Sequence, residues 1–437
     1  MRNLLLLLVA ISLGVLTTLN SGAQNIQITS NTNITQTGAQ MLVDFISGAG
    51  VNITNPQFAG TPAFSGTNAN TGTFTDGNVI GIASGIILSS GDVYAARGPN
   101  SAGNTSYNWG FNSYDVNLSP LATSSLKDMV GLEFDFTPEA DVIQFEYVFG
   151  SDEYPEYVGD SYNDIFGFFV SGPNPSGGQY NGQNIARLPN GQAVSINNVN
   201  GGSNSGYYVN NNNGQHNIEC DGFTTVLTAQ VNVVPCQPYR MKMLIADVYD
   251  NIYDSWVFIK AGSFTSPAVS DVNIQYSNPL AGVDAIEGCN NGLLNINLSA
   301  AASVNRVVPF TVAGTATYPA DYTLSAVPPA TLNLANPPNF TVTIPAGSSS
   351  AQIIVEPIAD GITEGVETIN MTVQTNICPP LEYISGSINV LDEPQALQLS
   401  LEDTVVICTG EAAFLTPDLS GGMSPISYAW SPPNNLS

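Results

Sequence analysis

The residues whose types and spacing point to chemistry in this chain are its carboxylates. Asp152, Glu153, Glu156, Asp160 and Asp164 form one run, and Asp247, Asp250 and Asp254 form a second. The first run lies between two apolar, β-like stretches and reads as a long connection over a sheet edge. The second follows the apolar stretch that carries Leu244 and Ile245. Three readings suit such sets. Ca²⁺ takes six to eight oxygens in uneven geometry from flexible loops. A solvated acidic loop does no more than keep a chain soluble. A glycoside hydrolase holds two carboxylates roughly 5–9.5 Å apart across a sugar-sized cleft, and Glu153 with Asp247 is the pair to test for that.

A third acidic set lies further on: Asp321, Asp360, Glu364 and Asp392, with Glu287 as a fifth member. Asp360 and Glu364 fall in a turn between two strand-like runs, and Asp392 ends the last such run. Calcium there would fix the angle between neighbouring modules, while unpaired surface carboxylates are the plain alternative. The last base in the chain is Arg306, and residues 307–437 carry twelve Asp and Glu. Like charges at that density repel unless a cation joins them. Ca²⁺ is therefore the expected cofactor.

Other chemistries find little support. His216 is the only histidine and lies in an Asn- and Gly-rich loop, with no nucleophile-elbow serine near it. One histidine and five cysteines in an exported chain leave few soft ligands for zinc. No glycine-rich phosphate loop follows a strand and opens a helix. A net charge of −27 with no basic patch repels nucleic-acid phosphates. Aromatics do accompany the acids: Tyr107, Trp109, Tyr154, Tyr157, Tyr162, Tyr207, Tyr208 and Tyr249. Such rings suit a glycan or protein ligand at the cell surface, and equally cover strand edges and half-buried faces.

The elements that must position these groups are β-strands. Runs at 81–89, 142–149, 165–170, 225–231, 240–246 and 256–259 are rich in Val, Ile, Phe and Tyr and bounded by Gly, Asn, Asp or Pro. Phe134 and Phe136, then Phe145, Tyr147 and Phe149, keep the period of two that a strand with one buried face requires. Short helices are expected only at 41–46 and at 121–129, the latter behind Ser119-Pro120. Further strands are expected at 306–312, 351–357 and 367–373. Hydrophobic residues make up 43% of the chain, enough apolar surface for folded cores despite the net charge.

The organisation expected is all-β, with tandem β-sandwiches: a large, jelly-roll-like domain at 24–267, a smaller Ig-like sandwich at 268–395 and an incomplete repeat at 396–437. Residues 1–23 read as a signal peptide, with Arg2, an apolar run from Leu4 to Leu19 and the small residues Ser21-Gly22-Ala23. No membrane span follows, so the expected location is secreted or attached to the outer membrane. An exported chain can oxidise its thiols. Cys289 and Cys378, near the two ends of the second domain, are expected to bridge. Cys220 and Cys236 enclose a hairpin-sized interval and either bridge or stay buried and reduced. Cys408 is left to pair beyond residue 437.

Several strings carry a family resemblance. Gly85-Ile-Ile-Leu-Ser-Ser-Gly-Asp-Val93, Phe149-Gly-Ser-Asp-Glu-Tyr-Pro-Glu-Tyr157, Asn163-Asp-Ile-Phe-Gly-Phe-Phe-Val-Ser-Gly172 and Asp221-Gly-Phe-Thr-Thr-Val-Leu-Thr-Ala229 stand together with Asp254-Ser-Trp-Val-Phe258. Residues 36–264 resemble the choice-of-anchor L domain of Bacteroidota surface and secreted proteins. That resemblance implies a type IX-secreted or gliding-associated surface protein and assigns no activity. Residues 287–392, with Asp321-Tyr-Thr323, Ile344-Pro-Ala-Gly347 and Asp360-Gly-Ile-Thr-Glu-Gly-Val-Glu367, resemble Calx-beta domains. The best calcium binders among those carry two adjacent aspartates where this chain has Ala359-Asp360. The segment with Gly421-Gly422 and Tyr428-Ala-Trp430 resembles the start of an Ig- or PKD-like repeat. The expectation is a non-catalytic, calcium-stabilised surface or adhesion protein, with a polysaccharide hydrolase as the alternative.

Overall fold

The computed structural model describes residues 25–60, 68–279, 282–302, 304–402, 404–422, 426–427 and 429. The signal-peptide segment and Tyr428 and Trp430 of the last repeat lie outside them. The chain is all-β, in two successive sandwiches with a short trailing hairpin.

In the first sandwich, one sheet runs in the order Gln27–Ser30, Thr71–Thr75, Gly85–Ser89, Ser255–Lys260, Val142–Ser151, Gly222–Thr224 and Tyr208–Asn210, with Leu227–Asn232 also paired to Val142–Ser151. The facing sheet runs Val51–Gly60, Leu126–Pro138, Tyr239–Val248, Ile165–Pro173 and Gln179–Asn184. The period of two decides what lies between them. Phe145, Tyr147 and Phe149 from one sheet meet Phe134, Phe136, Phe166, Phe168, Met241 and Met243 from the other in a single buried core. The rings interlock edge-on, as with Tyr147 and Phe168 at 5.0 Å and Phe145 and Phe168 at 4.8 Å. Each such ring contributes about 1.5–3 kcal/mol through burial. Trp256, Phe258 and Val148 point the other way and build a second layer against Phe74 and Ile80.

The helix is Gln36–Ile46, which buries Ala39, Leu42, Val43 and Ile46 at helical spacing. The helix expected at 121–129 does not form. Ser119–Leu121 makes one 3-10 turn, and from Leu126 the chain enters the strand ending at Pro138. There Leu126 and Lys127 pair with Val248 and Asp247, so the ladder overrides local helix preference.

The second sandwich packs Val269–Tyr276, Gly292–Leu298, Ser350–Pro357 and Tyr322–Ala326 against Ala285–Ile286, Tyr383–Leu391, Glu367–Gln374, Arg306–Gly314, Asn339–Ile344 and Thr331–Asn333. Its core holds Leu294, Ile296, Phe310, Ile353, Val355, Ile369 and Met371. Past residue 395, Gln398–Ser400 pairs with Asp418–Ser420, and large side chains such as Val406 and Phe414 are exposed.

The cysteine pairing overturns the expected Cys289–Cys378 bridge, and of the two readings left open for Cys220 it is the buried, reduced thiol that holds. Cys236 bonds Cys378, with 5.2 Å between Cα atoms, and so ties the first sandwich to the second. Cys289 follows Ile286, which pairs with Leu391 beside Glu367, whereas Cys378 lies past Gln374 at the far end of the same strand. Eight residues of strand at about 3.3 Å each separate them, far beyond a disulfide's reach. Cys289 is instead an exposed thiol. Cys220 is buried in the layer around Trp256 rather than facing Cys236. Cys408 is exposed and unbridged among the described residues. The junction is further held by Gln144 Nε2 donating to Ala301 O at 2.9 Å and by Arg306 Nη1 lying 3.6 Å from Asp141 Oδ1.

Candidate functional site

The hydrophobic stripe of the first core does not run the full length of its strands. Along Tyr239–Val248 the inward positions are Tyr239, Met241, Met243 and Ile245, and the next is Asp247. Along the neighbouring strand the stripe runs back from Val170 through Phe168 and Phe166 to Asp164. On the facing sheet Phe145, Tyr147 and Phe149 give way to Ser151 and Glu153. One end of the core is thus polar, and it is closed: Ser151, Asp152, Asp164, Asp247, Asp254 and Ser255 are each 1% exposed or less.

Many of these buried acids serve the backbone. The irregular segment from Asn100 to Phe111 has no ladder of its own, and carboxylates take its N–H groups. Glu219 accepts from Ser101 N at 3.0 Å, Asp152 from Thr105 N at 2.8 Å and Asp254 from Tyr107 N at 3.0 Å. Asp128 accepts from Trp109 N at 3.0 Å, Phe111 N at 2.7 Å and Asn251 Nδ2 at 2.9 Å. The oxygens of these acids are the acceptors those N–H groups have. They fasten this strap across the end of the sandwich, with the Tyr107 and Trp109 rings 4.5 Å apart. Gly91 belongs to the same arrangement, since a Cβ there would stand 1.8 Å from Asp254 Oδ2.

Asp247 has no such duty. It is fully buried, and neither of its oxygens takes a backbone N–H; the Asp164 carboxyl stands close enough to share its proton. The Ser90 hydroxyl lies near enough to offset a little of the burial, yet it is directed at Ser255 O at 3.4 Å and accepts from Ser255 N at 3.0 Å. The register that pairs Ala246 with Ile165 sets Asp247 opposite Asp164. Asp164 accepts from Val248 N at 3.0 Å and from Ser255 Oγ at 2.7 Å. Glu153, 1% exposed, leaves Oε2 without a partner.

Burial raises the proton affinity of Asp152, Glu153, Asp164, Asp247 and Asp254. Asp152 is pushed up to about 9 by desolvation, with Asp221 and Glu219 adding to it against the Thr105 N–H. Glu153 is pushed up to about 10 by desolvation and by Asp164, Asp250 and Asp160. Asp164 rises to about 7 through desolvation, held down by Ser255, Val248 and Asp247. Asp247 and Asp254 rise well above the carboxylate range, again chiefly by desolvation.

The two acidic runs expected from the sequence therefore meet. Residues 152–164 do connect two strands as expected, but the connection turns its acids inward and does not lie over a sheet edge. Asp152, Glu153, Asp164, Asp247 and Asp254 are interior, Asp250 is half-buried and Asp160 is exposed. Glu219, Asp221, Asp128 and Asp92 belong to the set and were not anticipated. Asp128 carried a signal, being an acid beside the apolar run Met129-Val-Gly-Leu132. Above the set, four tyrosine rings interlock: Tyr253 with Tyr157 at 5.0 Å, Tyr157 with Tyr162 at 5.1 Å, and Tyr162 with Tyr249 at 4.8 Å. Tyr249 and Tyr253 have φ of 84° and 64°, in the left-handed region that few non-glycine residues adopt. Tyr154 is no part of this surface, because it is fully buried and donates to Val199 O at 2.6 Å.

The second domain arranges its acids differently. Glu287, Asp360 and Glu364 each bring a carboxylate oxygen within 4.8 Å of the others, the only such trio among the described residues. Glu287 is 3% exposed with Oε2 unpartnered, while Asp360 and Glu364 are exposed. Asp392 accepts from Glu364 N at 3.0 Å and Gly365 N at 3.2 Å, which folds the 360–365 turn over Glu287. Asp321 is half-buried and accepts from Thr317 N at 2.6 Å. Burial and then the charges of Asp360, Asp392 and Glu364 raise the Glu287 carboxyl. Three carboxylates converging on a buried, unpartnered oxygen fit a hard divalent cation.

Fold and site together define a multi-sandwich protein with acid-rich domain ends. The family model of the choice-of-anchor L domain matches residues 28–265, more than half of the chain. The chain belongs to that family, which marks it as surface-associated. No curated protein matches the sequence. Among solved structures, a GH2 beta-galacturonidase from Eisenbergiella tayi aligns over 62% of this chain and 36% of its own, at 7% identity and a TM-score of 0.15. The collagen adhesin of S. aureus aligns over 71% of this chain and 96% of its own, at 10% identity and a TM-score of 0.17. This chain thus spans about a third of the galacturonidase, and superpositions this loose say nothing about function. No helix among the described residues is long and apolar enough to cross a membrane.

Proposed function

We propose that this chain is a non-catalytic extracellular contact module, displayed or secreted by the type IX route, that binds a surface glycan or protein. Calcium at the end of its Calx-beta-like second sandwich stiffens the passage to whatever follows. The observation that carries this reading is the Glu287–Asp360–Glu364 trio around a buried, unpartnered oxygen. Asp392, which folds the Asp360–Glu364 turn, begins the exit from the domain, so an ion held there would order that exit. Glu287 and the two turn residues would supply its protein oxygens.

The hydrolase alternative loses its best pair. Glu153 and Asp247 are 1% and 0% exposed, so no sugar ring reaches between them. Ca²⁺ titration by calorimetry, alongside binding to a glycan array, tests the proposal. Extracellular calcium modules bind at about 10⁻⁴–10⁻³ M, and an ion at a hundred times its Kd stabilises by about 2.7 kcal/mol. The E287Q/D360N variant is expected to lose that gain. A variant that keeps the full heat of binding and the full rise in Tm would refute the assignment of the ion to this trio.

A further inference from the structure

We infer that the closed end of the first sandwich is a second cation site, in which a Ca²⁺ ion sits between Asp164 and Asp247 with Glu153 as the third protein ligand. This goes beyond the second-domain centre and stands on separate residues.

Three observations carry it. Continued one residue past the Ala246–Ile165 pair, the strand register brings Asp247 beside Asp164 at the end of the core. Two carboxyls this close and away from water cannot both ionise unaided, so without a cation the pair stands only by sharing a proton between Asp247 and Asp164. Asp247 is fully buried and no backbone donor reaches either of its oxygens, although most of the surrounding acids are satisfied by backbone and hydroxyl donors. Glu153 reaches the same end of the core and leaves a buried oxygen unpartnered. Unsatisfied buried carboxylate oxygens are costly and rare in native proteins. The oxygens of these three residues do not all fall within the 4.8 Å that marks the second-domain trio. A large cation that tolerates uneven distances and keeps water among its ligands suits them; Mg²⁺, which demands a near-ideal octahedron, does not.

The ion would do mechanical work at the surface. Asp164 ends the loop that carries Tyr157 and Tyr162, and Asp247 begins the turn that carries Tyr249 and Tyr253. A cation joining Asp164 to Asp247 fastens the roots of both loops, and with them the four interlocked rings. Cation occupancy would thus set the shape of a half-exposed aromatic surface that the proposed contact function can use.

The test uses the full chain and Ca²⁺ alone as probe. Because the ligands are closed off from solvent, each protein is unfolded in urea with EDTA and refolded with or without millimolar Ca²⁺. Bound metal per chain and the Tm of the first-domain transition are then measured. E287Q/D360N is expected to retain one ion and a Ca²⁺-dependent rise in Tm. Adding D247N is expected to weaken that remaining site by roughly tenfold or more. Should D247N not refold, D164N is the second variant, with the same loss expected and circular dichroism as the check on its fold. No ion in E287Q/D360N, or an ion held equally well after D247N or D164N, overturns the inference. A wild-type chain whose only ion disappears in E287Q/D360N refutes this site and leaves the second-domain centre standing. Equal binding by wild type and E287Q/D360N, lost with D247N, does the reverse.

Discussion

The two domains use one residue type in opposite ways. In the first, Asp128, Asp152, Asp254 and Glu219 are interior and fasten the Asn100–Phe111 strap through its N–H groups. In the second, Asp360 and Glu364 stand exposed around a single buried Glu287. Burial decides the difference. A carboxylate shut away from water must find donors or a cation, and so becomes part of the fold, while an exposed one costs little and remains available as a ligand.

The largest effect should come from separating the two regions. The Cys236–Cys378 bridge closes a separation of 142 residues, which sets a chain-entropy ceiling on the order of 5 kcal/mol. Mild reduction, or the C236S/C378S variant, is expected to split the calorimetric unfolding into two transitions at lower temperature. Non-reducing peptide mapping should recover the Cys236–Cys378 linked peptide, and a Cys289–Cys378 peptide would contradict the junction described here.

Next comes the strap. Asp128→Ala strands three donors, those of Trp109, Phe111 and Asn251, and is expected to cost on the order of 3 kcal/mol or more in urea unfolding. A loss under about 1 kcal/mol would mean the strap does not depend on its clamps. Gly91→Ala drives a methyl against Asp254 Oδ2, which is fixed by the Tyr107 and Asp92 N–H groups. Overpacking of this kind costs about 1–3 kcal/mol, and near-UV circular dichroism from Trp109 should change with it.

Acidity separates the domains more gently. Asp152 has its folded-state pKa raised to about 9, so its neutral form is the one the fold favours. The stability it contributes is fully present below the ordinary carboxylate range and is lost as pH rises toward 9. Denaturant midpoints of Ca²⁺-free protein should therefore fall between about pH 4 and 9, and D152N should flatten that slope. The smallest effect is expected in the second domain, where Asp360→Asn without calcium should move stability by no more than about 0.5 kcal/mol. A larger loss would make Asp360 structural rather than a free ligand.

Much of the strand framework was legible because apolar alternation is a local property. The inward period of Phe134 and Phe136, and of Phe145, Tyr147 and Phe149, needs only the pleat of a single strand to predict a buried face. The same period, followed one step past Ile245, reaches Asp247. The sequence thus held the signal that an acid enters the core. The loop assignment of residues 152–164 holds, and what the local pattern could not give is that this loop turns its acids inward. The region at 121–129 forms no helix because its fate depends on a partner strand more than 100 residues away in the chain.

What the amino-acid sequence determined by itself was the all-β class, the acidity and which residues could serve as oxygen ligands, since these follow from composition and short-range period. Tertiary structure decided the rest. Strand register set Asp247 opposite Asp164, the length of the Glu367–Gln374 strand kept Cys289 from Cys378, and the packing of the two sandwiches brought Cys236 to Cys378. Each of those outcomes is a distance between residues remote in the chain, and such distances are fixed only when sheets pair and pack.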